Sequence, residues 1–175
     1  NVAYVAPNAA NTITSAMLNG GTLSFTGTAG QLFSISDSMT GTIFSVNDVS
    51  GIPLIEVVDT GVVKFNSTGG FVSYGVSPAV TAAGSNQSTA TAITRPISAV
   101  STVSASTGVV LPSATPGMRI LILNTSGTTL QVYPASGAQV NALGTNVAYA
   151  LGAGAKLEYV AITATQWYSL NATYA

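Results

Sequence analysis

Five carboxylates, Asp37, Asp48, Glu56, Asp59 and Glu158, are the whole stock of acidic side chains in this sequence of 175 residues. Lys64, Arg95, Arg119 and Lys156 are the whole stock of bases, and there is no His and no Cys. A carboxylate pair that cleaves a glycoside must sit about 5 to 9.5 Å apart across the sugar. Asp37, Asp48 and Asp59 recur at an even step and could line one edge of a repeat. Stacked there they would also offer oxygen ligands to calcium, although no calcium-loop pattern is present. The plainer reading is that each Asp follows a short strand and forms a turn, its side chain accepting from the next backbone N–H groups. A Ser-His-Asp arrangement needs a His and is excluded by composition. A Ser-Lys pair is formally open to Lys64 or Lys156, but no spacing supports it. Gly152-Ala153-Gly154-Ala155-Lys156 lacks the Gly-Lys-Ser/Thr ending of a phosphate loop and reads as a hairpin turn. The expectation is a non-enzymatic protein with no catalytic residue, no metal and no cofactor.

Aromatic side chains offer a different chemistry. Tyr133, Tyr149, Tyr159, Trp167, Tyr168 and Tyr174 gather toward the end of the sequence. Exposed rings stack on sugars and anchor protein contacts. Trp167, Tyr168 and Tyr174 are therefore the candidate receptor or glycan contacts. Neighbours in a strand point to opposite faces, so Trp167 and Tyr168 cannot both lie in a core. Arg119 and Lys156 interrupt apolar strands, where they either meet Glu158 or face solvent. Asn66, Asn86, Asn124 and Asn171 each begin an Asn-x-Ser/Thr triplet, a pattern that chance supplies in a chain so rich in Ser and Thr.

Charged residues make up 5% of the chain, against roughly 25% in ordinary globular proteins. High hydrophobicity with low charge is the reverse of a disordered composition. Four scattered cations cannot form the basic footprint of a nucleic-acid binder. Polar residues cut every apolar run well short of the roughly 18 residues of a spanning helix, so no membrane span is expected. A net charge of −1 with so few charges favours association. A homo-oligomer is expected.

The elements that must position these groups read as strands. Val, Ile, Thr, Tyr and Phe are cut by Gly, Asn, Ser and Pro, which predicts an all-β fold. The best helical candidate, Asn11 to Leu18, is short and ends at Gly20 and Gly21. Leu32 to Asp37, Ile43 to Asp48 and Leu54 to Asp59 repeat one another at the same step as the three Asp. Alternation places Phe33 and Ile35, Phe44 and Val46, and Ile55 and Val57 on one face, the candidate assembly face. Ser34, Ser45 and Glu56 point the other way. Residues 1–72 are thus predicted to be a β-repeat or meander region for assembly or anchoring. Residues 73–94, rich in Ala, Ser, Thr, Gly and Asn, read as a linker or long loop. Residues 95–175 carry regularly spaced short strands and are predicted to form a jelly-roll-like β-sandwich.

Two stretches resemble virion structural proteins of tailed phages, notably marine and cyanobacterial ones. The first runs from Gly21-Thr22-Leu23-Ser24-Phe25 through Gln31-Leu32-Phe33-Ser34-Ile35 to Gly41-Thr42-Ile43-Phe44 and Gly51-Ile52-Pro53. The second holds Gly108-Val109-Val110-Leu111-Pro112, Pro116-Gly117-Met118-Arg119, Val132-Tyr133-Pro134, Gln139-Val140-Asn141 and Gln166-Trp167-Tyr168, in that order. The resemblance implies a structural protein on the outer surface of the particle, with no catalytic residues to carry over. Its implied partners are further copies of itself, a trimer being favoured, and other virion proteins such as the major capsid protein. A host surface glycan is a further implied partner, met by the aromatic cluster. A capsid decoration protein is the first expectation, since no coiled-coil shaft is visible. A tail-fibre or receptor-binding tip is the alternative.

Overall fold

A computed structural model describes residues 2–5, 12–18, 21–65 and 72–170. The chain is all-β and divides into two compact units, Asn1–Ser73 and Tyr74–Ala175.

The first unit is an antiparallel meander. Strands β2 (Thr12–Leu18), β3 (Thr22–Gly27), β4 (Gly30–Ser36), β5 (Thr42–Asn47), β6 (Pro53–Val58) and β7 (Val63–Phe65) follow one another in spatial order, with β1 (Val2–Val5) paired along the edge of β2. The helix read from Asn11 to Leu18 is replaced by β2. Its Thr and Ile are β-branched, and pairing with β3 satisfies its backbone. Each step of the sequence repeat is one strand plus one turn, so the repeat marks successive reversals of the chain. Where β4 turns into β5 and β6 into β7, a glycine takes a left-handed conformation that a side chain resists, Gly41 at φ 71° and Gly61 at φ 80°.

Register fixes the two faces. Phe25, Phe33, Val46, Ile55 and Phe65 lie side by side across β3 to β7, and so do Leu23, Ile35, Phe44, Val57 and Val63. Phe25 and Phe33 stack with ring centres 4.3 Å apart, and Phe44 lies 6.5 Å from Phe33. The opposite face carries Ser24, Ser34, Ser45, Glu56 and Lys64 in one row. Among the described residues of this unit, the buried ones are Ser24, Ser36 and Ser45.

The second unit is a β-solenoid of about four turns, which corrects the expected jelly-roll sandwich. The chain alternates between two sheets through β8 (Val76–Thr81), β9 (Thr91–Ala92), β10 (Ile97–Thr102), β11 (Gly108–Val110), β12 (Arg119–Asn124) and β13 (Leu130–Tyr133). Strands β8, β10 and β12 pair in parallel, as do β9, β11 and β13. Neighbouring strands of a jelly roll are antiparallel. Parallel neighbours need a long crossover, and here the crossover is a strand in the other sheet. The last turn runs backward. After β14 (Gln139–Val140), β15 (Tyr149–Leu151) pairs antiparallel with β13, and β16 (Lys156–Ala161) with β12. Strand β17 (Gln166–Leu170) folds back on β16 and carries β14 on its outer edge.

Inward residues of the two sheets form one core, with Val100, Val109, Ile120, Ile122, Leu130, Val132, Leu157, Tyr159 and Trp167 at its centre. The stretch 73–94, read from composition as a linker or long loop, holds β8 and β9. It also contributes Ala82 and Ile93 to that core.

Candidate functional site

The carboxylates sit where turns need them. Asp48 Oδ1 accepts from the backbone N–H groups of Ser50 and Ile52 at 2.8 and 2.9 Å. Asp59 Oδ2 accepts from the Gly41 N–H at 3.0 Å. Successive reversals of a meander lie at opposite ends of the sheet, so Asp48 is separated from Asp37 and Asp59 by the length of a strand. The three do not form one row. Among the described residues no group of three or more Asp, Glu, His or Cys side chains could hold a metal ion. Lys64 Nζ lies 3.7 Å from Glu56 Oε2, and Thr42 Oγ1 donates to Glu56 Oε1 at 3.0 Å. The Gly152 to Ala155 turn is not a hairpin. It joins β15 in one sheet to β16 in the other.

The polar face of the meander is a trough of about 340 Å³. Gln31 ties it together, donating to Ser24 Oγ at 2.8 Å and accepting from Asn47 Nδ2 at 2.9 Å. Ser34 and Ser45 share a hydrogen bond of 2.9 Å. On the other face the candidate assembly residues Phe33, Phe44, Val46, Ile55 and Val57 are half-buried, and Ile35 is exposed. Met17, Val63 and Phe65 extend that apolar surface and are more than half exposed.

The three candidate contact aromatics have different fates. Trp167 is fully buried in the solenoid core and is not available to a receptor. Tyr168, its strand neighbour, points outward and is 48% exposed. Tyr174 lies outside the described residues. Tyr159 is buried, with Tyr149 edge-on at 6.0 Å. Burial pushes the Tyr159 phenol far above its ordinary range, and the neighbouring Tyr149 adds to the shift. Tyr133 donates its hydroxyl to the Ser85 carbonyl at 2.8 Å.

Tyr168 belongs to the outer face of the six-stranded sheet. Arg119 on β12, Val160 on β16 and Tyr168 on β17 form one register row there, and Ile97, Leu121, Glu158 and Leu170 the next. Arg119 Nε and Nη2 donate to Glu158 Oε1 and Oε2, each at 2.7 Å, a two-pronged fork. The hydrogen bond from Arg119 holds the Glu158 carboxyl below its ordinary range, and the same bond raises the Arg119 guanidinium above its own. Beside the fork lies a groove of about 420 Å³, lined by Tyr74, Pro96, Ile97, Gly117, Arg119, Leu121 and Glu158. Tyr74 is 60% exposed. Sequence reasoning left the fork as one of two options for Arg119 and passed over Tyr74. A lone Arg opening an otherwise apolar strand was the available signal.

The four Asn-x-Ser/Thr triplets also separate. Asn124 is fully buried, and its amide nitrogen donates to three backbone carbonyls, so the folded chain does not offer it for glycosylation. Asn86 Oδ1 caps an exposed turn through Ser88 and Thr89. Asn66 and Asn171 lie outside the described residues. Comparison with protein-family models, with curated proteins and with solved structures finds no match to this chain.

Proposed function

We propose that this chain is a non-enzymatic structural protein of the outer surface of a tailed-phage virion, a capsid decoration protein that assembles through its first unit. The observation that carries the assembly reading is the apolar face of the meander. The sheet exposes Ile35, Phe65 and Met17, and among the described residues the first unit has no second layer to bury them. A protein domain needs at least two packed layers around an apolar core. Further copies of the same sheet supply the missing layer, and three copies around a threefold axis bury all three faces equally. The near-absence of charge supports the same reading, because little repulsion opposes close packing of identical subunits. The virion assignment itself rests on the resemblance of residues 21–53 and 108–168 to phage structural proteins.

Two measurements test the proposal. The solution mass of the purified chain is expected to equal three copies, and a mass of one copy would remove the assembly. Antibody-gold labelling of intact particles is expected over the head, where the capsid protein would be the partner. Label on tail appendages would favour the second reading, a tail-fibre or receptor-binding tip. That reading draws on the exposed Tyr74 and Tyr168 on the outer sheet of the solenoid.

A further inference from the structure

We infer that the groove around the Arg119–Glu158 fork is a binding site for a neutral saccharide. The inference goes beyond the assembly reading, since the groove lies in the second unit and the apolar face in the first. Its floor is apolar, made by Pro96, Ile97 and Leu121, and its wall is the fork. Two hydrogen bonds of 2.7 Å hold the two planar groups in one fixed arrangement. They use two of the five N–H donors of the guanidinium. Both residues line the groove, so it is bordered by N–H donors and carboxylate acceptors side by side. Neighbouring hydroxyls of a sugar each donate and accept, so they match this alternation of donor and acceptor. The C–H face of the same ring matches the apolar floor and the Tyr74 ring. Tyr168 is two strands from Arg119 in the same row, about 10 Å across the sheet. A ligand that reaches from Tyr74 to Tyr168 is longer than one sugar ring.

Charge narrows the class. Glu158 neutralises Arg119, so a phosphate or carboxylate ligand finds no unpaired cation in the groove's lining and meets an acceptor that repels it, while Arg95, whose side chain lies against Gly75, is outside that lining. A purely apolar ligand would cover the fork without replacing its hydrogen bonds with water, which is unfavourable. A neutral polyhydroxylated ligand carries neither cost. The volume of the groove falls within the roughly 300 to 1,000 Å³ of small-molecule sites.

The test uses the full chain on a printed array of neutral and acidic oligosaccharides, followed by NMR titration of those retained. Neutral oligosaccharides are expected to bind and acidic ones not. Tyr74→Ala and Tyr168→Ala should each weaken binding by about tenfold, the effect of losing a ring that anchors an interface. The double variant Arg119→Gln, Glu158→Gln removes both charges together, so neither is left unpaired, and should abolish measurable binding. Thermal melts confirm that each variant folds, and solution mass on the same samples reads the assembly separately. Retention of no neutral oligosaccharide by the folded protein would overturn the inference. So would undiminished binding in the double variant, or a preference for acidic sugars.

Discussion

Asn124 shows how one side chain can hold a turn of the solenoid in place. It sits where β12 leaves one sheet for β13 in the other, and it is fully buried. Its amide nitrogen donates to the carbonyls of Thr128, Leu151 and Gly152 at 2.8, 3.1 and 2.9 Å. Its oxygen accepts from the Ser126 N–H and Oγ at 3.1 and 2.8 Å. The residue therefore bridges the forward turn to the strand that runs backward. Asn124→Ala would take the side-chain donor from the Leu151 and Gly152 carbonyls, while the Thr128 carbonyl keeps Ser126 Oγ at 3.1 Å, and the expected loss is about 3 kcal/mol in urea unfolding. A loss below about 1 kcal/mol would show that those carbonyls find other donors. Tyr159 is the converse case. Its hydroxyl is buried with no hydrogen-bond partner, so Tyr159→Phe removes a desolvated group and keeps the ring. Its stability is expected to be unchanged or to rise by up to about 1 kcal/mol, and a clear fall in the melting temperature would contradict the burial of that hydroxyl. Glu158 gives the pH dependence. Because its carboxyl is held low by Arg119, its contribution to stability is present above the ordinary carboxylate range and is lost as pH falls through the lowered folded value. The difference in melting temperature between the parent and Glu158→Gln should therefore close in acid and be constant at neutral pH.

Strands, turns and faces differed in how far the sequence revealed them. The step from Asp37 to Asp48 to Asp59 was legible because β4, β5 and β6 each have one apolar face and each is followed by a turn that carries an Asp. Period two then placed Phe33, Ile35, Phe44, Val46, Ile55 and Val57 together, as the register has them. Gly21, Gly41 and Gly61 are evenly spaced and all have positive φ. They mark one end of the same meander and carried the two-strand unit in plain view. The solenoid was less legible. Its outward residues include Ile97, Leu121 and Val160 as well as polar ones, so alternation gave strands but not partners. Its turns are also unequal. Ile97 lies beside Val76 in one direction and Leu121 in the other. Val109 lies beside Thr91 and Val132. In both sheets the later step takes up more chain than the earlier one. So uneven a period leaves no repeat to read, and the first turn, low in large apolar residues, passed for a linker. The candidate site suffered in the same way, because Arg119, Glu158 and Tyr168 are brought together only by pairing of β12, β16 and β17. For the meander the element-scale consequence can be measured. Phe33→Ser with Phe44→Ser leaves the backbone pairing intact and removes two rings from the middle of the apolar face. The doubly substituted chain is expected to fall to a solution mass of 17.5 kDa, and an unchanged oligomer would place the assembly contact elsewhere.

For the molecule as a whole, the distribution of buried apolar side chains separates the two units. Every buried hydrophobic residue among the described ones, from Ala82 to Trp167, lies in the solenoid. The solenoid closes its core between two sheets of its own chain, and its fully buried Trp167, Tyr159 and Leu111 are the mark of a unit that can fold unaided. The meander buries serines, leaves Phe25, Phe33 and Phe44 half-buried and exposes Phe65, so its apolar contribution is fully realised only when something covers that face. A sheet with one apolar face needs a second packed layer to bury it, and stability drawn from association rises with protein concentration. Residues 74–175 expressed alone should therefore fold as a monomer, with one cooperative melt whose midpoint does not move with concentration. Residues 1–73 alone should gain sheet structure only as they associate, with a midpoint that climbs on concentrating the sample. A dilute, monomeric 1–73 with the full strand content would mean that the meander needs no second layer, and the apolar face would then lose its claim as the surface that builds the assembly. A solenoid segment that melts only in step with the oligomer would move that claim to the second unit, where Ile97, Leu121, Val160 and Leu170 on the outer face of the six-stranded sheet are the next apolar surface.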